Sequence, residues 1–154
     1  MKQIKHIQGD VLRPIGEGKK IIPHCCNDLG IMGAGVALAI KRKWPIVFNK
    51  YKSWSQQKSF KLGKVQFIKV EEDIIIANMI GQHDVRTKNR VAPIRYGAIN
   101  KCLASIAETA LKCNASVHAP RFGAGLAGGK WDLIEKSIIQ NLCEKDIEVV
   151  IYLI

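Results

Sequence analysis

Long hydrophobic runs are missing from this chain of 154 residues. No apolar stretch approaches the roughly 18 residues that a spanning helix requires, and no membrane partner is expected. The opening residues, MKQIKHIQGD, are charged and alternating, which fits neither a signal peptide nor an anchor, so a soluble cytoplasmic protein is expected. The 5 cysteines are an odd number without C-x-x-C or Cys/His spacing, which argues against a disulfide framework and against a zinc site. They read as thiols in a reducing compartment, mainly buried filler, and no metal is expected. Acidic residues are scarce as well: 13 Asp and Glu against 24 Lys and Arg leave a net charge of +11. A surplus of that size favours an anionic partner through long-range attraction, and nucleic acid and phosphorylated small molecules both qualify. Apart from KRK at 41 to 43 the basic residues are scattered and no run interleaves them with aromatics, so charge alone does not choose.

What is present is an ordinary globular composition, 47% hydrophobic and 24% charged, with no repeat, linker or low-complexity segment. A chain of this length suits one domain over residues 1–154, which buries about 70% of the surface its unfolded form exposes and needs no cofactor to fold. IKHIQGD and KKIIPHCCN read as strands, and VALAIKRKW as a helix that Pro45 ends while opening the next, where Phe48, Tyr51 and Trp54 line one side. KVQFIKV and DIIIANMI, separated by EED, read as a hairpin whose second strand is buried. Residues 93 to 112 form the clearest helical pattern, with Ile99, Cys102, Leu103, Ile106, Ala107, Ala110 and Leu111 at steps of three and four. ASVHAP, a helix from Trp131 to Cys143, and IEVVIYLI complete the order. Strands alternating with helices predict an α/β fold with a sheet covered on both faces, and the hairpin makes that sheet mixed. Ligands in such folds sit beyond the carboxyl ends of the strands.

Two glycine stretches fall at that rim, GIMGAG after the second strand and GAGLAGG after the fifth. In the second, Gly123, Gly125 and Gly128 match G-x-G-x-x-G. A dinucleotide fingerprint needs that spacing in the first strand-to-helix turn with a second nucleotide half beyond, and here only one strand follows. A P-loop fails too, since Ala124 stands where its first glycine belongs and Trp131 where a Ser or Thr should bind magnesium. What survives is a pair of glycine loops, each leading into a helix whose free amides can hold a phosphate. Physics alone leaves this level with plain tight turns that use glycine for geometry.

GDVL, HCCNDLGIMGAGVALAI, WP, LGKVQ, IRYGAINKCL and PRFGAGLAGGKW, in that order, resemble the macrodomain family over essentially the whole chain. The nearest subgroups are the terminal ADP-ribose protein glycohydrolases and the ADP-ribose 1″-phosphate phosphatases. The resemblance implies a three-layer α/β/α sandwich with a six-stranded mixed sheet and a cleft for ADP-ribose across its rim. By that match Asp10 would accept from the adenine amino group with the Val11 amide beside it, against the plainer reading of a turn-capping aspartate. Gly33, Ala34, Gly35 and Val36 would offer amides to the diphosphate from one side, and Gly123, Ala124, Gly125, Leu126 and Ala127 from the other. Asn27 would face the distal ribose, and Tyr152 matches an aromatic position near the adenine in some relatives.

The chemistry departs from the pattern. The glycohydrolases carry a lysine after the fourth strand, where this chain has Gln82, and an aspartate in the second loop, where it has Ala127. Glutamine is no nucleophile and alanine cannot shuttle a proton. Lys88 reads as a solvated loop charge. His83 and Asp84, at the mouth of the same cleft, are the candidate catalytic pair for a terminal phosphate or ester, set against structural or substrate-positioning roles. His24 reads as orienting the loop, and Cys25 and Cys26 lack a partner base. Three functions follow as expectations: a cleft that binds and hydrolyses an ADP-ribose derivative, including a protein-linked one; a reader of ADP-ribose without turnover; and a nucleic-acid-binding domain that uses the basic surface.

Overall fold

The computed structural model describes residues 1–125 and 127–153. Its single sheet has six strands: β1 (Lys5–Gln8), β2 (Lys20–Asn27), β3 (Val65–Glu71), β4 (Ile74–Gln82), β5 (Ser116–Pro120) and β6 (Val149–Leu153). They lie in the order β1-β6-β5-β2-β4-β3. Every pairing is parallel except β3 with β4, the hairpin, so the sheet is mixed as the sequence predicts. Four α-helices cover it: α1 (Gly35–Lys43), α2 (Pro45–Trp54), α3 (Tyr96–Cys113) and α4 (Trp131–Asn141). Ile40, Val47, Tyr51 and Trp54 of α1 and α2 pack on one face with Ile22, Ile76 and Ile80 of the sheet. Ile99, Leu103 and Ile106 of α3 and Ile134 and Ile138 of α4 pack on the other with Ile21, Met79 and Ile151. This is the expected α/β/α sandwich, and each fully buried Ile or Leu contributes about 1.5–3 kcal/mol relative to exposure.

The local reasons follow from the residues. α2 opens on Pro45 at its first positions, where the missing N–H costs nothing. α3 ends at Asn114, whose φ of 54° is the left-handed conformation that asparagine tolerates at a helix terminus. Its start differs from the expectation at residue 93. Pro93 lies in a bend, and Ile94 and Arg95 stay out of the helix because their backbone is used elsewhere: the Ile94 amide donates to Ala127 O at 3.0 Å and the Arg95 amide to Gly81 O at 2.9 Å. Leu111 continues the helical spacing but is 57% exposed, while its neighbour Ala110 is buried. The helix beginning at Trp131 stops at Asn141, and a single 3₁₀ turn, Cys143–Lys145, replaces its last residues.

One feature of the sheet places the site. β2 and β5 pair only at Lys20 with Ser116 and Ile21 with Val117. Pro23, two residues on, has no amide to give a ladder, whereas β2 stays paired with β4 as far as Asn27 against Gln82. The two strands therefore part toward their carboxyl ends, and the gap opens between the two glycine loops.

Candidate functional site

A cleft of about 520 Å³ occupies that gap. Its walls are the first loop and the start of α1 (Asn27, Ile31, Gly33, Ala34, Gly35, Val36) and the second loop (Arg121, Phe122, Gly123, Gly125, Ala127), with His24, Cys25 and Cys26 on its floor. Among the described residues no acceptor takes the amides of Gly33, Ala34, Gly35 or Val36, and none takes those of Gly123, Ala124 or Gly125. The first helical amides have no intrahelical acceptor by geometry, and α1 also has no side-chain cap and no acidic residue in its first turn. Such a strip of donors at the positive end of a helix suits an anion. Leu126 lies outside the described residues.

The second loop is shaped by its own backbone. Gly129 N donates to Gly123 O at 2.7 Å and Gly128 N to Gly125 O at 3.0 Å, and Gly123 and Gly128 take φ values of 76° and 74°. A Cβ on Gly123 would stand 2.6 Å from Ile94 Cδ1, whereas one on Gly125 would meet nothing within 4 Å. Gly123 therefore serves the turn, while Gly125 keeps the cleft open.

Asn27 lines the cleft and braces the first loop at once. Its Oδ1 accepts from the amides of Leu29 (3.0 Å) and Ile31 (3.2 Å), and its Nδ2 donates to Ile31 O at 2.7 Å. The second Nδ2 proton has no acceptor among the described residues.

Asp10, Val11 and Tyr152 stand beyond the residues that line the cleft. Asp10 Oδ1 accepts from the Leu12 amide at 2.9 Å, so the carboxylate does cap a turn, and no described residue donates to its Oδ2. Val11 and Tyr152 are buried in the same cluster against which Val36 and Ala37 of α1 pack, which joins this end to the first loop. The ring of Tyr152 lies beside Gly9, and its hydroxyl accepts from the Ile15 amide at 2.9 Å and meets His118 Nδ1 at 2.7 Å. Tyr152 is thus 3% exposed and holds the segment that carries Asp10.

At the other end, Gln82 reaches the cleft from the end of β4 with its amide already engaged: Nε2 donates to Asp84 O at 3.0 Å, and Oε1 accepts from the Cys25 thiol at 3.8 Å. His83 and Asp84 stand outside the lining and do not hydrogen-bond to each other. The Asp84 carboxylate meets Lys88 Nζ at 2.6 Å and the Val85 amide at 2.6 Å, and the Lys88 ammonium beside it holds its carboxyl below the usual carboxylate value. His83 Nδ1 instead lies 2.6 Å from Asp28 Oδ2. On the floor, His24 Nε2 sits 2.6 Å from Asn78 Oδ1, and burial pushes its pKa down to about 4, so it is neutral at physiological pH. Burial pushes the Cys25 thiol up to about 12 and the Cys26 thiol well above its ordinary value, which makes both inert as nucleophiles.

The sequence reading missed Asp28, Phe122 and Arg121. Arg121 lines the cleft with its guanidinium 5.1 Å from the Trp131 ring centre and no carboxylate within ion-pair distance among the described residues. A lone arginine directly before a glycine loop was the available signal. A second depression of about 300 Å³, at the amino ends of β2, β5 and β6, contains none of the expected site residues. Among the described residues no group of three or more His, Cys, Asp or Glu is arranged to hold a metal, and no helix is long and apolar enough to cross a membrane.

Known proteins share this architecture. A protein of unknown function from Bacteroides thetaiotaomicron superimposes with a TM-score of 0.95 at 45% identity, over 97% of each chain. An ADP-ribose 1″-phosphate phosphatase of Candida albicans is 27% identical over 88% of this chain and 91% of its own. The mouse chromodomain-helicase-DNA-binding protein 1-like is 30% identical over 97% of this chain, which spans only 17% of that relative. The Macro domain family model matches residues 24–138, and the chain belongs to that family.

Proposed function

We propose that the cleft binds ADP-ribose carried on, or substituted with, a further group, and hydrolyses the bond to that group. The observation that carries this reading is a pair of amide strips, without acceptors among the described residues, in the two loops that wall a cleft of about 520 Å³. Two linked phosphates need two sets of donors, and small side chains at Gly33, Ala34, Gly35, Gly123, Ala124 and Gly125 let the backbone approach them. Adenine then lies toward Asp10 and Val11, with Tyr152 acting through the segment it holds, and the distal ribose toward Asn27 and Gln82. The phosphatase relative supports the same ligand class.

Gln82 and Ala127 offer neither a nucleophile nor a proton shuttle, so water is the attacking group and an ester or phosphate on the distal ribose is the preferred linkage. The same two residues favour a second reading, a binder of ADP-ribose without turnover. The group beyond the ribose, protein or nucleic acid, would meet the exposed cations of residues 86–90. Five free thiols suit a reducing compartment, and we place the protein in the cytoplasm. Incubation with ADP-ribose 1″-phosphate, O-acetyl-ADP-ribose and ADP-ribosylated protein, followed by mass spectrometry, tests the proposal. Release of ADP-ribose supports hydrolysis, and binding without product supports the reader.

A further inference from the structure

The loop after β4 contains an imidazole placed by a residue from a different strand end. Asp28 follows Asn27 at the end of β2, and its side chain is 18% exposed. Its carboxylate is divided between two donors: Oδ2 lies 2.6 Å from His83 Nδ1, and Oδ1 accepts from the Asp84 amide at 2.8 Å. The backbone of the pair is fixed as well, with the Asp28 amide donating to Gln82 O at 3.1 Å and the His83 amide to Pro93 O at 2.8 Å. A carboxylate only accepts, so Nδ1 carries the proton. In the neutral ring Nε2 is then the unprotonated nitrogen; it has no partner among the described residues, and the side chain is 55% exposed. Gln82 and Val85, on either side of His83 and Asp84, line the cleft, as does Asn27 before Asp28. His83 is itself outside the lining, but its place in the chain between Gln82 and Val85 puts it beside the cleft, near where the proposed distal ribose would carry its substituent.

We infer that His83 is the proton-transferring residue of this site and that Asp28, in place of Asp84, is the residue that orients it. The inference rests on the proposed ADP-ribose derivative as substrate. Nε2 removes a proton from a water molecule as the water oxygen bonds to the acyl carbon or phosphorus carried by the distal ribose. The bond from that atom to the ribose oxygen then breaks, and the ribose oxygen takes the proton back from Nε2. The products are ADP-ribose and the free carboxylic acid or phosphate, and water is the sole co-reactant. His83 fills a need that Gln82 and Ala127 leave open, since the reaction requires a base and the cleft floor holds only buried, inert groups.

The test uses Asp28→Asn and His83→Gln, with ADP-ribose 1″-phosphate and O-acetyl-ADP-ribose as probes. An asparagine amide facing Nδ1 donates where the carboxylate accepted, which moves the ring proton to Nε2 and removes the base without removing the side chain. Long-range ¹H–¹⁵N correlation spectra should show the Nδ1–H form in the wild type and the Nε2–H form in Asp28→Asn. In both variants kcat should fall about 10²-fold to 10⁴-fold while KM and calorimetric ADP-ribose affinity hold. A wild-type Nε2–H tautomer, or wild-type turnover in Asp28→Asn, overturns the inference and leaves the binding proposal standing. Binding without turnover in the wild type overturns it likewise, whereas no ADP-ribose binding at all overturns the proposed function together with it.

Discussion

The hydroxyl of Tyr51, buried where α2 passes under the end of β2, donates to the backbone carbonyl of Asn27 and lies 3.0 Å from its side-chain oxygen. Burial raises the phenol far above its ordinary pKa, so it stays a donor at every accessible pH. A core residue of one helical layer thus sets the position of the loop that presents Gly33, Ala34 and Gly35. Tyr51→Phe should lower stability by about 1–3 kcal/mol, the cost of leaving a buried acceptor unsatisfied, and should weaken ADP-ribose binding through the loop. Urea melts and calorimetry measure the two effects, and a loss of stability with unchanged affinity would show that the loop holds its shape without Tyr51.

Asp10→Ala removes both the turn cap and the free Oδ2. It should weaken ADP-ribose by about 1–3 kcal/mol if the adenine amino group uses that oxygen. Asp10→Asn separates the roles, because its one carbonyl oxygen can still cap the Leu12 amide. Binding lost in both variants assigns the adenine to the second oxygen, and binding unchanged in both places the adenine elsewhere.

The glycines divide into two groups. Gly125→Val projects into open space and should abolish ligand binding with little change in circular dichroism or melting temperature. Gly123→Ala should destabilise the fold by about 1–3 kcal/mol, from its φ of 76° and the contact with Ile94. Gly35→Val is a poorer probe of the cleft than Gly125→Val, since its φ of 58° adds backbone strain to any steric block. A melting temperature that falls as far in Gly125→Val as in Gly123→Ala would return Gly125 to a purely structural role.

Acid should unfold the protein through its buried histidines. Burial lowers both His24 and His118 from 6.5 to about 4, so the unfolded chain binds more protons than the native one between those values. Stability from these groups is complete above about pH 6.5 and is lost as pH falls toward 4; His24 alone accounts for roughly 3 kcal/mol. Urea titrations at pH 7 and pH 4.5 test this, and equal midpoints would contradict it. His118→Gln should flatten part of the dependence, at the cost of its contacts with Ser116 and Tyr152.

Turnover of glutamate-linked ADP-ribosylated protein by a lysine adduct is not expected on the proposed reading, in which Gln82 and Ala127 stand where the resemblance to the glycohydrolases would put the nucleophile and the proton shuttle. Losing members of one catalytic unit is far costlier than losing a contact. Parallel time courses on that substrate and on ADP-ribose 1″-phosphate decide the point, and brisk cleavage of the first through a trapped lysine would refute this reading of Gln82.

How much was legible in the sequence depended on the range of the signal. Periodicity located α3 because Ile99, Leu103 and Ile106 follow one another on a single face, and the glycine loops announced themselves by composition. The start of α3 was not legible, since Pro93 to Arg95 look helical in spacing but the amides of Ile94 and Arg95 donate to the carbonyls of Ala127 and Gly81 across the fold. The sequence groups His83 with its neighbour Asp84, whereas the imidazole meets Asp28, which lies 55 residues away in the chain and comes beside it through the pairing of β2 with β4. The parting of β2 from β5 was present as Pro23, a proline in a central strand, but its consequence needed the sheet order.

The central claim is that the two amide strips hold the diphosphate of ADP-ribose. Melting curves in rising concentrations of ADP-ribose test it most directly, because a ligand bound only by the native state stabilises it by RT ln(1 + [L]/Kd). The account predicts a melting temperature that climbs with ADP-ribose, climbs less with AMP, and is flat for Gly125→Val. A wild-type melting temperature indifferent to ADP-ribose, or raised equally in Gly125→Val, would contradict it.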